Sequence, residues 1–188
     1  MSKVALSGNA SGSGTFTIAS PNSNTDRTIN LPDSNGTILT TATAGVPVNG
    51  PAFSAYQSST QTIANATFTK VALQSEEFDT AGCFDTSTFR FTPTVAGYYQ
   101  INGGSGVNIT SGGGVVEIYK NSGRYKRGNA ATTVSGITVH ITVSALVYLN
   151  GSTDYVELYI YQNSAGSASS HAGSEWNYLN GALVRSAT

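Results

Sequence analysis

Apolar and polar side chains alternate along most of the chain beyond residue 50. In residues 137–143, ITVHITV, the apolar residues Ile137, Val139, Ile141 and Val143 occupy every second position. Side chains on a strand point alternately to the two faces of a sheet, so this period of two indicates a strand with one buried side. The pattern therefore predicts a sheet that packs one face against a core.

Residues 154–161, DYVELYIY, alternate in a different way. Val156, Leu158 and Ile160 form one face of this predicted strand. The other face carries three tyrosines and a glutamate, namely Tyr155, Glu157, Tyr159 and Tyr161. Because large side chains lie on both faces, we expect neither face to be fully solvated.

Further strands are predicted where short apolar runs end at Gly, Asn, Ser or Pro. They are 52–57, 67–74, 88–92, 97–102, 115–120, 144–149 and 177–185. The segments KNSGRYK around residue 123 and LNGSTDY around residue 151 are predicted hairpin tips. Many short strands without crossover helices predict an all-β antiparallel sandwich or jelly roll.

The first 50 residues differ from the rest. Thr-Ile recurs at 17–18, 28–29 and 37–38 as a weak repeat. Each copy has too few apolar residues to build a core within one chain. We therefore expect an extended β-rich segment over 1–50 that is buried by other chains, and a core-bearing domain over 51–188.

The low charge of the chain makes some classes of binding partner improbable. Charged residues make up 10% of the sequence and the formal net charge is −1. A chain with so little charge has no field to attract a polyanion, so nucleic acid is not expected as a main partner. No long apolar window indicates a membrane span or signal peptide. Cys83 is the single cysteine, which excludes an internal disulfide.

Few residues suggest catalysis or metal binding. His140 and His171 have no Cys, Asp or Glu at metal-ligand spacing, and no base stands beside Cys83 in the sequence. We therefore expect no enzyme activity and no cofactor, and no metal is expected at the histidines or at Cys83.

An acidic run lies within ten residues and consists of the four carboxylates Glu76, Glu77, Asp79 and Asp85. Two interpretations of this acidic run stay open, a solvated loop and a calcium site.

Two loop regions are candidates for ligand binding. The hairpin KNSGRYKR carries Lys120, Arg124, Lys126 and Arg127, almost half of the nine basic residues. It would suit an anionic polysaccharide, a phosphate of lipopolysaccharide or an acidic patch on a partner protein, or it is simply a solvated hairpin. Trp176, near His171 in the loop 163–174, either stacks on a sugar or plugs one end of the sandwich.

Four motifs in order resemble the trimeric jelly-roll family of the complement globular head and tumour necrosis factor. They are PAFSAYQSSTQ, then FDTAGCF with PTVAGYYQI, then LNGSTDYVELYIY, and finally WNYLNGALV. The resemblance implies a ten-stranded sandwich that assembles as a homotrimer. It places Tyr99, Ile101, Val156, Leu158, Ile160, Leu179 and Leu183 in the core. It assigns the trimer interface to Tyr98, Gln100, Tyr155, Glu157, Tyr159, Tyr161 and Tyr178.

The segment RTINLPDSNGTILTT resembles segments that precede distal domains in tailed-phage fibre and virion-surface proteins. The resemblance implies that three copies trimerise or attach to the virion through Ile18, Ile29, Leu31, Ile38 and Leu39.

The first hypothesis for the function is a bacteriophage virion structural protein. It would be a homotrimeric fibre or spike at the virion surface whose head binds a host glycan or protein. The alternative is a trimeric decoration or cement protein on the capsid, which the short chain favours. A third hypothesis, an extracellular lectin, is disfavoured, because a lectin would need a secretion signal that this sequence does not show.

Overall fold

The computed structural model describes residues 50–133 and 138–187, and residues 11–15, 17, 22, 24–26 and 28 of the first part of the chain. The chain divides into two compact units, Met1–Ile38 and Leu39–Thr188. The described residues of the first unit are all exposed. The leader residues Ile18, Ile29, Leu31, Ile38 and Leu39 lie outside the described residues, so their role and the domain boundary after residue 50 stay predictions.

The described part of the second unit consists of strands joined by turns. Its thirteen strands are β1 Ala52–Tyr56, β2 Thr62–Ile63, β3 Thr69–Lys70, β4 Ser75–Asp79, β5 Phe84–Asp85, β6 Arg90–Phe91, β7 Gly97–Asn108, β8 Gly113–Lys120, β9 Gly123–Thr132, β10 Val139–Leu149, β11 Val156–Gln162, β12 Ala168–Ser170 and β13 Tyr178–Ser186. Five of them have only two or three residues, so their number exceeds the ten expected. The described residues contain no helix long and apolar enough to cross a membrane.

The strands form two antiparallel sheets that pack as a sandwich. In the first sheet the order is β2-β12-β7-β13-β1-β4, with β10 also paired to β7. In the second sheet the order is β5-β6-β11-β8-β9, with β3 also paired to β11. Neighbours within each sheet are mostly distant in sequence. The prediction of an all-β sandwich is confirmed.

The longest ladder joins β7 and β10 without interruption from Gly97↔Leu149 to Val107↔Val139. The sequence predicted two strands over 137–143 and 144–149, but the alternation continues through Ser144 and they form one strand. Strand β9 was not predicted, because most of its residues are exposed and few of them are apolar. Strand β4 was predicted as a loop, and it instead pairs with β1.

An aromatic cluster joins the two sheets at the centre of the core. Phe53 of the first sheet stacks on Phe91 of the second with ring centroids 4.1 Å apart. Phe91 also meets the edge of Tyr99 at 5.5 Å, and Phe84 stacks on Phe53 at 5.4 Å. The buried Tyr99 hydroxyl donates a hydrogen bond of 2.7 Å to the carbonyl oxygen of Val95. Its burial raises the pKa of Tyr99, so the hydroxyl stays a donor.

The core predicted from alternation is confirmed. Six of the seven residues assigned to it are fully buried, and these are Tyr99, Ile101, Val156, Leu158, Ile160 and Leu179. Leu183 is partly buried and packs against the same cluster. Val139, Ile141 and Val143 are also buried, whereas Ile137 lies outside the described residues.

The two predicted hairpin tips differ in what they connect. Asn121 and Ser122 have φ angles of 51° and 65° and join β8 to β9, as expected for a two-residue hairpin. The segment around Gly151 instead joins β10 of the first sheet to β11 of the second, so it is not a hairpin tip. The Asn150 Oδ1 atom accepts backbone N–H groups from Ser152, Thr153 and Asp154 in this turn.

We predict that Gly151→Ala destabilises the protein by about 1–3 kcal/mol. Gly151 has a φ of 74°, and a Cβ atom there would lie 2.3 Å from the backbone nitrogen of Ala96. Gly166→Ala is the matched control, because no atom lies within 4 Å of its Cβ position. Urea unfolding of both variants measures the difference. Equal stability of the two variants would contradict this account of the turn.

Asp85 closes the turn between β5 and β6 with its carboxylate. Its Oδ1 atom accepts the Ser87 hydroxyl at 2.6 Å and the Ser87 N–H at 2.8 Å. Its Oδ2 atom accepts the Thr88 hydroxyl at 2.8 Å. These hydrogen bonds favour the charged form, and they lower the pKa of Asp85 from 3.8 to about 2.

We predict that Asp85→Ala lowers stability at pH 7 and that this difference shrinks as the pH falls. A carboxylate with a depressed folded pKa contributes stability above its unfolded pKa of 3.8, and that contribution is lost as the pH falls towards about 2. Urea midpoints of both proteins at pH 7, 4 and 2 measure the trend. The Asp85→Asn variant is the control, because neither variant titrates at this position, so the difference in stability between Asp85→Asn and Asp85→Ala should not depend on pH. A constant difference between Asp85→Ala and the parent would argue against the turn as described.

Candidate interaction surfaces

The outward face of the first sheet has an exposed apolar end. Tyr98 of β7, Leu146 and Tyr148 of β10, and Val184 of β13 are 43%, 52%, 41% and 54% exposed. Tyr98 and Tyr148 are directly paired across the strands, with their rings 5.5 Å apart. Tyr98, Leu146 and Val184 line a cleft of about 540 Å³. We call these four residues the apolar end, and exposed apolar groups in such a cluster are typical of a contact surface.

Amides and hydroxyls occupy the middle of the same face. The Gln100 Nε2 atom donates to Ser144 Oγ at 2.8 Å, and Ser144 Oγ donates to Asn102 Oδ1 at 2.8 Å. The Asn102 Nδ2 atom donates to Asn180 Oδ1 at 3.1 Å. This network crosses three strands, β10, β7 and β13, through neutral side chains. We call it the amide network, and the Glu77 carboxylate lies beside it in a cleft that Gln100, Asn102 and Asn180 also line.

Two buried carboxylates dominate the outward face of the second sheet. Glu157 and Glu117 are only 1% and 2% exposed. The Glu157 Oε1 atom accepts Lys70 Nζ at 2.9 Å and Arg90 Nε at 2.8 Å. Glu117 lies 2.7 Å from Arg127 Nε through Oε1 and 3.2 Å from Arg124 Nε through Oε2. Each carboxylate is therefore covered by two cations, which compensates its loss of water.

Aromatic rings fill the space around these ion pairs. Tyr119 and Tyr159 stack with centroids 3.9 Å apart. The Arg124 guanidinium lies 4.1 Å from the centroid of the Phe68 ring, and Phe68 lies 5.1 Å from Tyr161. Burial is the main cause of a raised pKa of Tyr159, so its hydroxyl stays neutral. The rings shield the ion pairs from water and add cation–π contacts to them.

The seven residues predicted for the trimer interface lie on two different faces. Those on the first sheet are Tyr98, Gln100 and Tyr178, and those on the second sheet are Tyr155, Glu157, Tyr159 and Tyr161. The two faces point away from each other, so the seven residues do not form one continuous surface. Glu157 is buried by cations of its own chain. Which face contacts a neighbouring subunit stays a prediction.

The four basic residues predicted to lie on one hairpin also differ in their surroundings. Arg124 and Arg127 meet on Glu117. Lys120 Nζ instead lies 2.9 Å from Asp154 and donates to the Tyr148 carbonyl oxygen, and this pairing lowers the pKa of Asp154. Lys126 lies over the ring of Tyr125 at 5.6 Å. Two of the four cations therefore share a site.

His171 and Trp176 form a separate cluster at the Gly106 end of β7. Their rings stack at 4.7 Å, and His140 Nε2 lies 3.0 Å from the Trp176 carbonyl oxygen. A Cβ atom at Gly106 would lie 2.8 Å from the Trp176 ring, so the indole rests on this glycine. These contacts with His171, His140 and Gly106 favour the interpretation that Trp176 closes one end of the sandwich. The basic hairpin lies near Tyr148, towards the opposite end of the ladder.

The acidic run supports turns and a strand pair. Asp79 accepts the backbone N–H groups of Ala81 and Phe84, and Glu77 accepts the Ser54 hydroxyl. In residues 50–133 and 138–187, no three His, Cys, Asp or Glu side chains converge as a metal site. Cys83 is buried and free. Glu76, Glu77 and Asp79 lie in β4 rather than in a solvated loop, and calcium binding at this run stays a prediction.

Several residues of these surfaces were not identified from the sequence. They are Phe68, Lys70, Arg90, Glu117, Leu146, Tyr148 and Val184. One signal was available, because Glu117 interrupts the apolar strand GGVVEIYK and an acidic residue in such a strand needs a partner. The others depend on which strands become neighbours, and a strand pattern alone does not contain this information.

No protein-family model matches the chain, and no curated protein matches it. Among solved structures, the chain is similar to the globular domain of zebrafish complement 1qA protein, with a TM-score of 0.54, 15% identity, and coverage of 74% of this chain and 100% of that one. It is also similar to Eiger TNF from S. frugiperda, with a TM-score of 0.58, 11% identity, and coverage of 74% and 95%. PRD1 vertex protein P5 gives a TM-score of 0.50, 18% identity, and coverage of 71% and 96%. The fold is therefore the jelly roll that the sequence motifs predicted.

Proposed function

We propose that this chain is a bacteriophage virion structural protein that forms a homotrimer at the virion surface. Its jelly-roll head binds the host surface, and its first 50 residues attach it to other virion proteins. The observation that carries the proposal is the apolar end, which a single subunit leaves open to solvent. The jelly-roll similarity to a vertex protein and the phage-like leader segment support the virion location.

The outward face of the first sheet is the proposed contact between subunits. Fully burying an exposed valine or leucine side chain contributes roughly 1.5–3 kcal/mol, and covering the four residues of the apolar end, which are 41–54% exposed, gains part of that amount at each position. The neighbouring amide network offers neutral hydrogen-bonding groups to a second subunit, and Arg185 and Glu77 at the edges of the face need partners or water in the assembly. Interfaces commonly combine such an apolar region with a polar surround. Tyr98, Gln100 and Tyr178 keep their proposed interface role in this arrangement.

The outward face of the second sheet is then proposed to face the surroundings of the trimer. Its carboxylates are already neutralised by Lys70, Arg90, Arg124 and Arg127 of the same chain. Such a surface is stable in water and has no need of a second subunit. This assignment moves Tyr155, Glu157, Tyr159 and Tyr161 from the subunit contact to the exposed side of the trimer.

We predict that the double substitution Tyr98→Lys and Leu146→Lys converts the trimer into monomers. The two ammonium groups would be forced into an apolar contact without counter-charges. The matched variant, Tyr155→Lys and Tyr159→Lys, adds the same charge to the second sheet and should stay trimeric. Multi-angle light scattering measures the mass, and circular dichroism verifies that both variants are folded.

Two results would overturn this interface. A parent protein that is monomeric at all concentrations tested would contradict the trimer itself. Monomers from the Tyr155 and Tyr159 variant, with a trimeric Tyr98 and Leu146 variant, would put the contact on the second sheet.

We also predict that the purified trimer adsorbs to host cells of the encoding phage and slows infection by occupying receptors. Three identical heads raise the apparent affinity of a weak site by roughly a hundredfold or more. The monomeric Tyr98 and Leu146 variant should therefore compete much less well at equal subunit concentration. Plaque counts after preincubation of cells with either protein measure this. Protein that ignores cells and binds empty capsids would instead support the decoration role.

A further inference from the structure

We propose that the outward face of the second sheet binds an acidic polysaccharide through Arg124 and Arg127, which Glu117 holds in place. The proposal rests on the host-surface recognition described above and names the class of receptor. Two features of the face support it, a pair of oriented guanidinium groups and a row of aromatic rings beside an open cleft.

The two arginines are oriented from below by one buried carboxylate and one tyrosine. Arg127 donates its Nε–H to Glu117 Oε1 at 2.7 Å, while the Arg124 Nε atom lies 3.2 Å from Glu117 Oε2 and donates to the Tyr119 hydroxyl at 3.3 Å. Glu117 is 2% exposed, whereas the two arginine side chains are 59% and 56% exposed. The Nε edge therefore faces the protein, and the exposed remainder of each guanidinium is accessible to a ligand. Because the ion pairs already restrict these side chains, a ligand orders them at little further entropic cost.

The charge of the face suits anions that are spaced apart. The face carries four cations and three carboxylates. The cations are Lys70, Arg90, Arg124 and Arg127. The carboxylates are Glu117, Glu157 and Asp85, which is paired with Arg90 across β5 and β6. One positive charge is left in excess, on a chain whose formal net charge is −1. Such a surface attracts a polymer with one carboxylate per sugar more readily than a densely charged phosphate chain, which needs many cations. The planar guanidinium fork matches a carboxylate in shape.

The surroundings of the arginines favour a sugar over an acidic peptide. The Arg124 guanidinium covers one face of the Phe68 ring, and Tyr161 beside Phe68 lines the cleft and offers a ring on which the C–H face of a sugar packs. An open cleft of about 350 Å³ continues from them and is lined by Gly113, Arg127, Ala131, Tyr161 and Asn163, among others. Because Gly113 and Ala131 have small side chains, the cleft has room for a flat sugar ring. The amide of Asn163 is fixed by a 2.7 Å hydrogen bond from the Gly113 N–H to its Oδ1 atom, so its NH₂ group is positioned for a sugar hydroxyl.

The test measures binding of the full-length trimer to immobilised alginate and polysialic acid, which both carry a carboxylate on every sugar. Dextran is the uncharged control polymer and poly-L-glutamate is the acidic polypeptide control. The parent protein should bind one or both acidic polysaccharides at low salt, weaken as salt screens the charges, and leave dextran unbound.

The decisive variant is Arg124→Lys with Arg127→Lys, which keeps both charges and the ion pairs to Glu117 but removes the guanidinium forks. We expect its affinity for the acidic polysaccharides to fall about tenfold or more, because a lysine makes a single point contact with a carboxylate. Lys126→Ala is the matched control, since Lys126 lies on the same strand over Tyr125 and does not contact Glu117. Its affinity should stay within about twofold of the parent.

Three results would overturn the proposal. They are failure of the parent to bind both acidic polysaccharides, equal affinity of the lysine double variant and the parent, and equal or tighter binding to poly-L-glutamate. Light scattering and host adsorption, measured on the same protein, separate this proposal from the function on which it rests. A trimer that adsorbs to cells but binds neither polysaccharide would refute this site alone.

Discussion

The contact of Phe91 with Phe53 and Tyr99 is the constraint on which the sandwich depends. These rings come from different sheets and meet at 4.1 Å and 5.5 Å, so they fix which side of each sheet faces inward. Because side chains alternate along a strand, that choice also fixes every outward-facing residue. The composition of both outer faces thus follows from the residues that face the core.

The two outer faces meet water in different ways. The second sheet balances the charge of its buried carboxylates, since Glu117 and Glu157 are each paired with two cations from neighbouring strands, although the Oε2 atom of each lacks a hydrogen-bond partner among the described residues. Removing one partner from such a pair would leave a buried charge uncompensated, which is strongly destabilising. Within residues 50–133 and 138–187, Tyr98, Leu146, Tyr148 and Val184 of the first sheet stay 41–54% exposed. This asymmetry is the physical basis for giving the faces different roles.

Alternation in the sequence divided each long strand into two faces, and the resemblance to the trimeric jelly-roll family indicated which face is inward. Val156, Leu158 and Ile160 were assigned to the core and are fully buried. Strands whose position depends on their neighbours were harder to predict. The polar strand β9 is held by its pairing to β8, and β4 by its pairing to β1, and neither pairing is visible in a local pattern. The tyrosines of β7 and β11 were grouped because both strands carry them on the outward side, but a period of two does not tell which sheet a strand joins.

Strand β9 combines a fixed backbone with side chains that lie almost entirely outside the core. Eight of its ten residues are exposed, while β8 beside it is mostly buried. Substitutions at most exposed positions of β9 therefore change the outer surface with little effect on the core. Gly128 is an exception, because a Cβ atom there would clash with the Thr142 carbonyl oxygen, and Glu117 further limits the variation by requiring the two arginines that cover it.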